Sequence, residues 1–206
     1  MRERAALWAA IAALACATCQ HPPVGGRTLA DCPGALRPVG EIPEDFRLEQ
    51  RLRIRAPRAS ASLRIAVEKR GTRLVLIGLN ELGAKLFTVV QTDGEVQVEA
   101  LPAAVLPVAP LGVLRDLHRV RFLGAGAAPD ASGRAEGLYD GTRITETWRA
   151  GALVRRSFQR EADPGGERVI VEFNRPDAAS PARVRIENGW CGYTALIDTL
   201  DEEPLP

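Results

Sequence analysis

Hydrophobic and polar residues alternate along much of the chain from residue 46 onward. Apolar residues follow a spacing of two, at Leu48, then Leu52 and Ile54, and again at Leu63, Ile65 and Val67. This period of two is typical of β-strands that have one buried face and one solvated face. Turn signals, among them Asp93-Gly94, separate successive runs. The pattern therefore predicts five consecutive antiparallel strands that end near residue 100.

The pattern becomes helical after a proline-rich segment that starts at residue 102. Apolar residues then recur at three-residue spacing, which is typical of a helix, at Leu111, Leu114, Leu117 and Val120. Alternation returns near 135–139, 143–149, 153–160, 168–173, 183–187 and 191–199. The chain thus predicts a mainly β protein with about eleven antiparallel strands and one principal covering helix.

A sheet of this size curls, and its dry face needs a cover. One helix and a proline-rich segment are too small to cover the dry face completely. We therefore expect an apolar cavity or groove on the concave side. A closed barrel filled by side chains fits the pattern equally well. Since residues 74–79 are apolar on both faces, the sequence does not determine which face of the sheet points inward. The expected wall residues are Leu52, Ile54, Leu63, Ile65, Leu76, Phe87, Val89 and Trp148, with Leu114 and Leu117 facing them from the helix.

The first residues have the features of an export signal. Arg2 and Arg4 precede an uncharged run that ends at residue 15, which is too short to span a bilayer. We therefore expect a signal peptide over residues 1–15. The sequence Ala13-Leu14-Ala15-Cys16 resembles the lipobox of bacterial lipoproteins, which implies acylation of Cys16. An ordinary cleaved signal is the alternative.

The residues that follow Cys16 suggest a location and a domain plan. In Gram-negative lipoproteins an aspartate after the acylated cysteine usually means retention in the inner membrane, and Ala17 stands there instead. By that resemblance the anchor lies in the outer membrane, on its periplasmic face. Proline and glycine are frequent up to residue 44. We expect a lipidated tether over 16–45, the folded domain over 46–200 and a tail over 201–206.

Charge and reactive residues narrow the function. The full chain has 27 basic and 26 acidic residues, and removal of residues 1–15 leaves 25 of each. A neutral chain is a poor nucleic-acid partner. The two histidines, His21 and His118, lie outside any nucleophile or metal-ligand motif. We therefore expect no catalytic residue, no metal and no cofactor, and a protein that is not an enzyme.

The cysteines allow one stabilising link. In an oxidising periplasm, a bond between Cys32 and Cys191 would tie the start of the domain to its last strand. Such a bond contributes about 2–4 kcal/mol to stability. The sequence alone leaves the pairing open, because Cys19 is also present.

Two motifs, in this order and combined with the anchor, carry a family resemblance. They are RLVLIGLNELG at residues 73–83 and PLGVLRDL at 110–117. The chain resembles the outer-membrane lipoprotein receptor of the Lol pathway. It is more similar to LolB-like lipoproteins encoded beside aryl-polyene and fatty-acid-like biosynthetic genes. The resemblance implies a half-open barrel of eleven strands whose hollow takes acyl chains beneath covering helices.

The same resemblance implies a role for the loop between the third and fourth strands. In the receptor a leucine protrudes from this loop and helps to pass lipid into the membrane. Leu82 occupies the matching place, after Asn80 and before Gly83. The three residues would form a lipid-insertion loop, whereas Leu82 folded back over the sheet is the alternative. Glu81 stands where the receptor has proline, which favours a specialised relative over a general receptor.

Two functions follow as hypotheses. The first is an outer-membrane-anchored periplasmic lipoprotein that binds a lipid or acyl chain and helps to transfer or localise it. The cargo would be a lipoprotein or a polyene-like or fatty-acid-like product, and a periplasmic LolA-like carrier is a candidate partner. The second is a structural scaffold lipoprotein of the envelope without a ligand cavity.

Overall fold

The computed structural model describes residues 32–101, 106–126, 132–174 and 183–206. The signal peptide, Cys16 and the first half of the expected tether lie outside these residues. One α-helix, α1, spans Pro110–Arg121. The strands are β1 Phe46–Ala56, β2 Ala59–Arg70, β3 Arg73–Leu79, β4 Lys85–Gln91, β5 Val96–Ala100, β6 Gly133–Tyr139, β7 Thr142–Arg149, β8 Ala152–Arg160, β9 Val169–Asn174, β10 Arg183–Asn188 and β11 Tyr193–Pro204.

All eleven strands join one open antiparallel sheet, in the order β5-β4-β3-β2-β1-β11-β10-β9-β8-β7-β6. Strands β5 and β6 are its edges. Within the described ranges, the structure confirms the expected mainly β fold with eleven strands and a single α-helix. Most of the hairpins follow turn signals in the sequence, such as Asp93-Gly94 between β4 and β5. The exception to chain order is the pairing of β1 with β11, which brings the two ends of the domain together.

The alternation in sequence corresponds to the two faces of the sheet. In β1, Leu48, Leu52 and Ile54 are buried, and the intervening arginines are exposed. The outer face pairs arginines with acids across strands, as in the 2.6 Å contact between Arg53 and Asp198. Exposed pairs of this kind contribute little to stability. The core therefore lies on one side of the sheet, where α1 packs.

Two boundaries differ from the sequence-based domain plan. The expected tail at 201–206 mostly continues β11, whose Pro204 lies opposite Phe46. Backbone pairing with β1 continues to Pro204, and Arg47 pairs with Glu203 at 2.9 Å, so the acidic end is ordered by β1. At the other end, Cys32, Val39 and Ile42 are buried in the core. Packing therefore extends into the segment that composition alone suggested as a tether.

We call residues 32–42 the strap. It begins at Cys32, which is disulfide-bonded to Cys191 with a Cα–Cα distance of 5.7 Å. It ends after a short 3₁₀ helix, Val39–Glu41, whose Gly40 amide donates to the Asp93 carboxylate at 2.7 Å. The strap thus runs from the turn after β10 to the turn after β4, across the outer side of α1.

Candidate functional site

The turn between β3 and β4 presents Leu82 to solvent. Its side chain is 93% exposed. The Asn80 side-chain oxygen accepts hydrogen bonds from the Leu82 amide at 3.0 Å and the Ala84 amide at 2.9 Å. Gly83 has φ +83°, a conformation that suits glycine, and nothing would contact a Cβ there. Leu82 therefore stands away from the sheet instead of folding back over it.

Nine of the ten expected wall residues lie in the core, each at most 5% exposed. The seven sheet members face α1, which answers the question that the sequence left open about the inward face of these strands. Trp148 on β7 is only half-buried, and its indole nitrogen has no hydrogen-bond partner. The nine are Leu52, Ile54, Leu63, Ile65, Leu76, Phe87, Val89, Leu114 and Leu117.

Helix α1 fills the part of the concave face where a hollow was expected. Leu114 is 0% exposed and Leu117 4%. The space between the helix and strands β1 to β3 has a volume of about 10 Å³, enough for one water molecule. One helix is therefore sufficient cover for these strands, because its apolar side lies directly on them. In this region of the described chain the expected cavity is occupied by α1.

The concave face continues beyond α1 at the edge strand β5. Val98 is opposite Val89, and Ala100 is opposite Phe87, so their side chains share the core face. Even so, Val98 is 46% exposed and Val96 37%. We call Val96, Val98 and Ala100 the β5 shelf. It is an apolar margin of the core face that stays partly exposed to solvent.

A buried polar network fixes the underside of α1. The Asp116 carboxylate accepts from Arg119 at 2.7 Å and from the Tyr193 hydroxyl of β11. Asn188 donates to the same hydroxyl at 2.9 Å. Burial raises the pKa of both Asp116 and Tyr193 above their usual values. The network is satisfied internally, which favours a single placement of the helix.

His118 is part of the contact between α1 and the strap. Its Nδ1 accepts from the Arg37 amide at 3.0 Å, and its Nε2 lies 2.8 Å from the Gln91 side-chain oxygen. Because Nδ1 accepts, Nε2 carries the proton in this tautomer. Burial lowers the pKa of His118 to about 3, with a smaller contribution from Arg37. Both ring nitrogens are engaged, so the imidazole has a structural role here.

Basic side chains donate hydrogen bonds to backbone carbonyl oxygens at the carboxyl end of α1. Arg156 donates to the carbonyl oxygens of Arg119 at 2.7 Å and Val120 at 3.1 Å. Arg37 donates to the Phe122 carbonyl at 3.0 Å. Cations are favourable at this end of a helix dipole. A polar cavity of about 370 Å³ adjoins these arginines, but Glu146 and Glu41 already pair with Arg156 and Arg37.

Metal-ligand groups and membrane-spanning helices are absent from the part of the chain that the structure describes. There, no three histidine, cysteine or acidic side chains are grouped closely enough to hold a metal ion. Nor does any helix in those ranges have the length and apolarity that crossing a membrane requires.

The arrangement defines a class of protein: a single open antiparallel sheet with one helix packed on its concave face and an exposed leucine turn. The chain belongs to the family described as "Protein of unknown function (DUF3261)", whose profile matches residues 47–201. A search of curated proteins finds no match to the chain.

Several solved structures are similar in overall architecture. A putative outer membrane lipoprotein-sorting protein domain from Vibrio parahaemolyticus is 10% identical, with a TM-score of 0.48 over 78% of this chain and 85% of that one. A LolA superfamily protein from Nitrosomonas europaea is 14% identical, with a TM-score of 0.45 over 79% and 88%. A DUF1329 family protein from Desulfovibrio piger is 12% identical, with a TM-score of 0.40 over 81% and 88%.

Proposed function

We propose that this protein is a non-enzymatic lipid-binding lipoprotein, anchored in the outer membrane through Cys16 and facing the periplasm. It takes up an acyl chain on the concave face of its sheet and helps to pass it on. The observation that carries the proposal is Leu82, a large apolar side chain that is 93% exposed on a turn held by Asn80.

The energy of one leucine suits a transient contact with lipid. Transfer of a leucine side chain from water to an apolar phase contributes about 1.5–3 kcal/mol. This is enough to favour contact by a protein that is already tethered near a bilayer, and small enough to leave the contact reversible. The acyl anchor would supply lasting attachment.

The β5 shelf supports an acyl site next to α1. Val96 and Val98 extend the core face that Phe87 and Val89 begin, so an acyl chain on the shelf would continue an existing apolar surface. Deeper binding requires α1 to shift, since the space beneath it holds about one water molecule. The family resemblance favours a lipoprotein acyl chain or a polyene-like product as cargo, and a LolA-like carrier as donor.

A scaffold lipoprotein is the second candidate. The filled region beneath α1 favours it, because a protein without a ligand needs no vacant space. The two candidates differ in one property: a scaffold does not exchange lipid with vesicles.

Lipid transfer by the mature lipidated protein tests the proposal. A fluorescent fatty acid is followed from donor to acceptor vesicles, with Leu82→Glu compared with Leu138→Glu. Leu138 is the matched control, because it is another exposed leucine, 61% exposed, but lies on strand β6 and not on a turn. We expect Leu82→Glu to reduce transfer to the protein-free rate, since a carboxylate opposes entry into lipid, and Leu138→Glu to leave it unchanged.

Stability serves as the second measurement on the same variants. Exposed substitutions usually change the free energy of unfolding by about 0.5 kcal/mol or less. Urea unfolding should therefore give nearly the same value for both variants and the wild type. Equal transfer by Leu82→Glu and Leu138→Glu, or no transfer by the wild type, would favour the scaffold.

A further inference from the structure

The strap contacts one side of α1 over its carboxyl-terminal half. The carbonyl oxygens of Cys32 and Pro33 accept hydrogen bonds from Arg115 and Arg119. Further along, the Arg37 amide donates to His118 at 3.0 Å. The helical residues Arg115, His118 and Arg119 are three and four positions apart, so they form one face of the helix. This face is opposite the apolar side that lies on the sheet.

The strap is fastened at both ends to strands of the sheet. Its last part is held by Val39, which is 0% exposed, and by the bond from Gly40 to Asp93. In the middle, the Gln91 side chain donates to the Arg37 carbonyl at 2.9 Å. Its first residue is held covalently by Cys191, in the turn that joins β10 to β11. Helix α1 therefore lies between the sheet and the strap, and the strap is attached at both of its ends.

The fit between strap and helix is tight at Gly34. A Cβ on this residue would lie 2.3 Å from the Arg119 guanidinium, and its φ of +150° disfavours other residues. A side chain at this position would displace either the strap or the Arg119 guanidinium, which is paired with Asp116. The contact is therefore sensitive both to a change at Gly34 and to release of Cys32.

We propose that the strap is a redox-controlled latch: the Cys32–Cys191 disulfide holds α1 on the concave face, and its reduction frees α1 to move off the sheet. The inference rests on the proposed function in taking the concave face as the acyl site. In the oxidised state α1 occupies the place of the acyl chain. In the reduced state the apolar side of the sheet becomes available to ligand.

The chemical step is thiol–disulfide exchange with a dithiol oxidoreductase of the envelope. The sulfur–sulfur bond between Cys32 and Cys191 breaks and takes up two electrons and two protons. The oxidoreductase dithiol supplies them and becomes a disulfide. The bond closes a separation of 159 residues, so its loss removes the covalent constraint on the first residue of the strap.

Hydrogen exchange on the mature lipidated protein tests the latch without any ligand. Amide exchange is measured before and after reduction with dithiothreitol. We expect the amides of α1 to exchange about tenfold faster or more after reduction, because the helix opens locally. The central amides of β2 and β3 should keep their protection and serve as the internal reference.

A second variant loosens the strap while the disulfide stays intact. Gly34→Ala pushes the strap away from Arg119, so the amides of α1 should again exchange faster. Gly71→Ala is the matched control: Gly71 has φ +53°, and nothing lies near its added Cβ. It introduces backbone strain without touching the strap, and α1 should keep wild-type exchange.

Three outcomes would overturn the latch. They are unchanged exchange of α1 after reduction, equal exchange of α1 in the two glycine variants, and global unfolding on reduction. In the last case the disulfide holds the whole fold and not α1 alone.

Binding of a fluorescent fatty acid separates the latch from the proposed function. Faster exchange of α1 with no binding in either redox state would leave the latch in place and refute the acyl site. Equal binding in both states with unchanged exchange would refute the latch and support the acyl site.

Discussion

At the scale of single residues, Asn80 and Leu82 depend on each other. Leu82 has no packing partner within the described chain that would hold it in place. Its position comes from the two backbone amides that donate to the Asn80 side chain. A short polar side chain thus fixes the direction of an apolar one two residues later. The motif read from the sequence is therefore a structural unit and not three independent residues.

His118 leads to a pH-dependent prediction at the same scale. Its folded pKa of about 3 lies below the ordinary value of 6.5, so the unfolded chain binds a proton that the native protein does not. Its contribution to stability is therefore complete above pH 6.5 and decreases as the pH falls toward 3. Between pH 7 and pH 5 we expect a loss of about 2 kcal/mol from this residue.

The measurement compares wild type with His118→Gln by urea unfolding at pH 7, 6 and 5. The variant lacks the titrating group, so its free energy of unfolding should change less over this range. Asp116, whose pKa is raised by burial, affects both proteins alike and cancels in the comparison. Equal pH dependence in the two proteins would show that folding leaves the pKa of His118 unchanged.

At the scale of elements, two sides of α1 make contacts: one side packs on the sheet and the other meets the strap. Leu114, Leu117 and Val113 pack on the sheet, and Arg115, His118 and Arg119 meet the strap. Spacing of apolar residues predicted the first side. The second side consists of ordinary polar residues, so the sequence gave no sign that another segment covers it.

Leu114→Ala tests how tightly α1 is packed. Truncation of a fully buried leucine costs about 2–5 kcal/mol when the site does not collapse. We expect a loss in this range, measured by urea unfolding. Leu111→Ala, on the same helix but only partly buried, is the control and should cost less. Similar costs at both positions would mean that Leu114 faces open space and that the hollow exists in solution.

At the scale of the whole molecule, the sheet has a covered part and an uncovered margin. The core-face residues of β1 to β4 are buried beneath α1 and the strap, whereas Val96 and Val98 of the β5 shelf are partly exposed. Both parts belong to one continuous apolar face. Under the proposed function, an acyl chain would first contact the core face at the boundary between them.

Val98→Asp tests the β5 shelf as a lipid contact. Loss of one apolar contact and addition of a charge should weaken binding of a fluorescent fatty acid by about tenfold. Gln97→Asp is the matched control, because it changes the neighbouring residue on the opposite face of the same exposed strand. Equal affinities of the two variants would place the ligand elsewhere.

How well the sequence predicts a feature depends on how far apart in the chain the interacting residues lie. Turn residues and period-two alternation are local, so hairpins such as β3–β4 were predicted within a few residues. The pairing of β1 with β11 is not local, and the acidic residues at 201–203 give no sign of it. Val96 and Val98 alternate like buried residues, yet their exposure depends on β5 being an edge strand.

The sequence by itself determined the strand and helix order and the position of the leucine turn, because periodicity and turn chemistry are set by near neighbours. Only the tertiary structure decided that α1 fills the concave face, that the strap encloses it and that the β5 shelf stays open. These features depend on contacts between residues that are far apart in the chain, such as Arg37 with His118 and Tyr193 with Asp116. Such contacts have no local pattern, because each partner is an ordinary polar residue until the fold brings it next to the other.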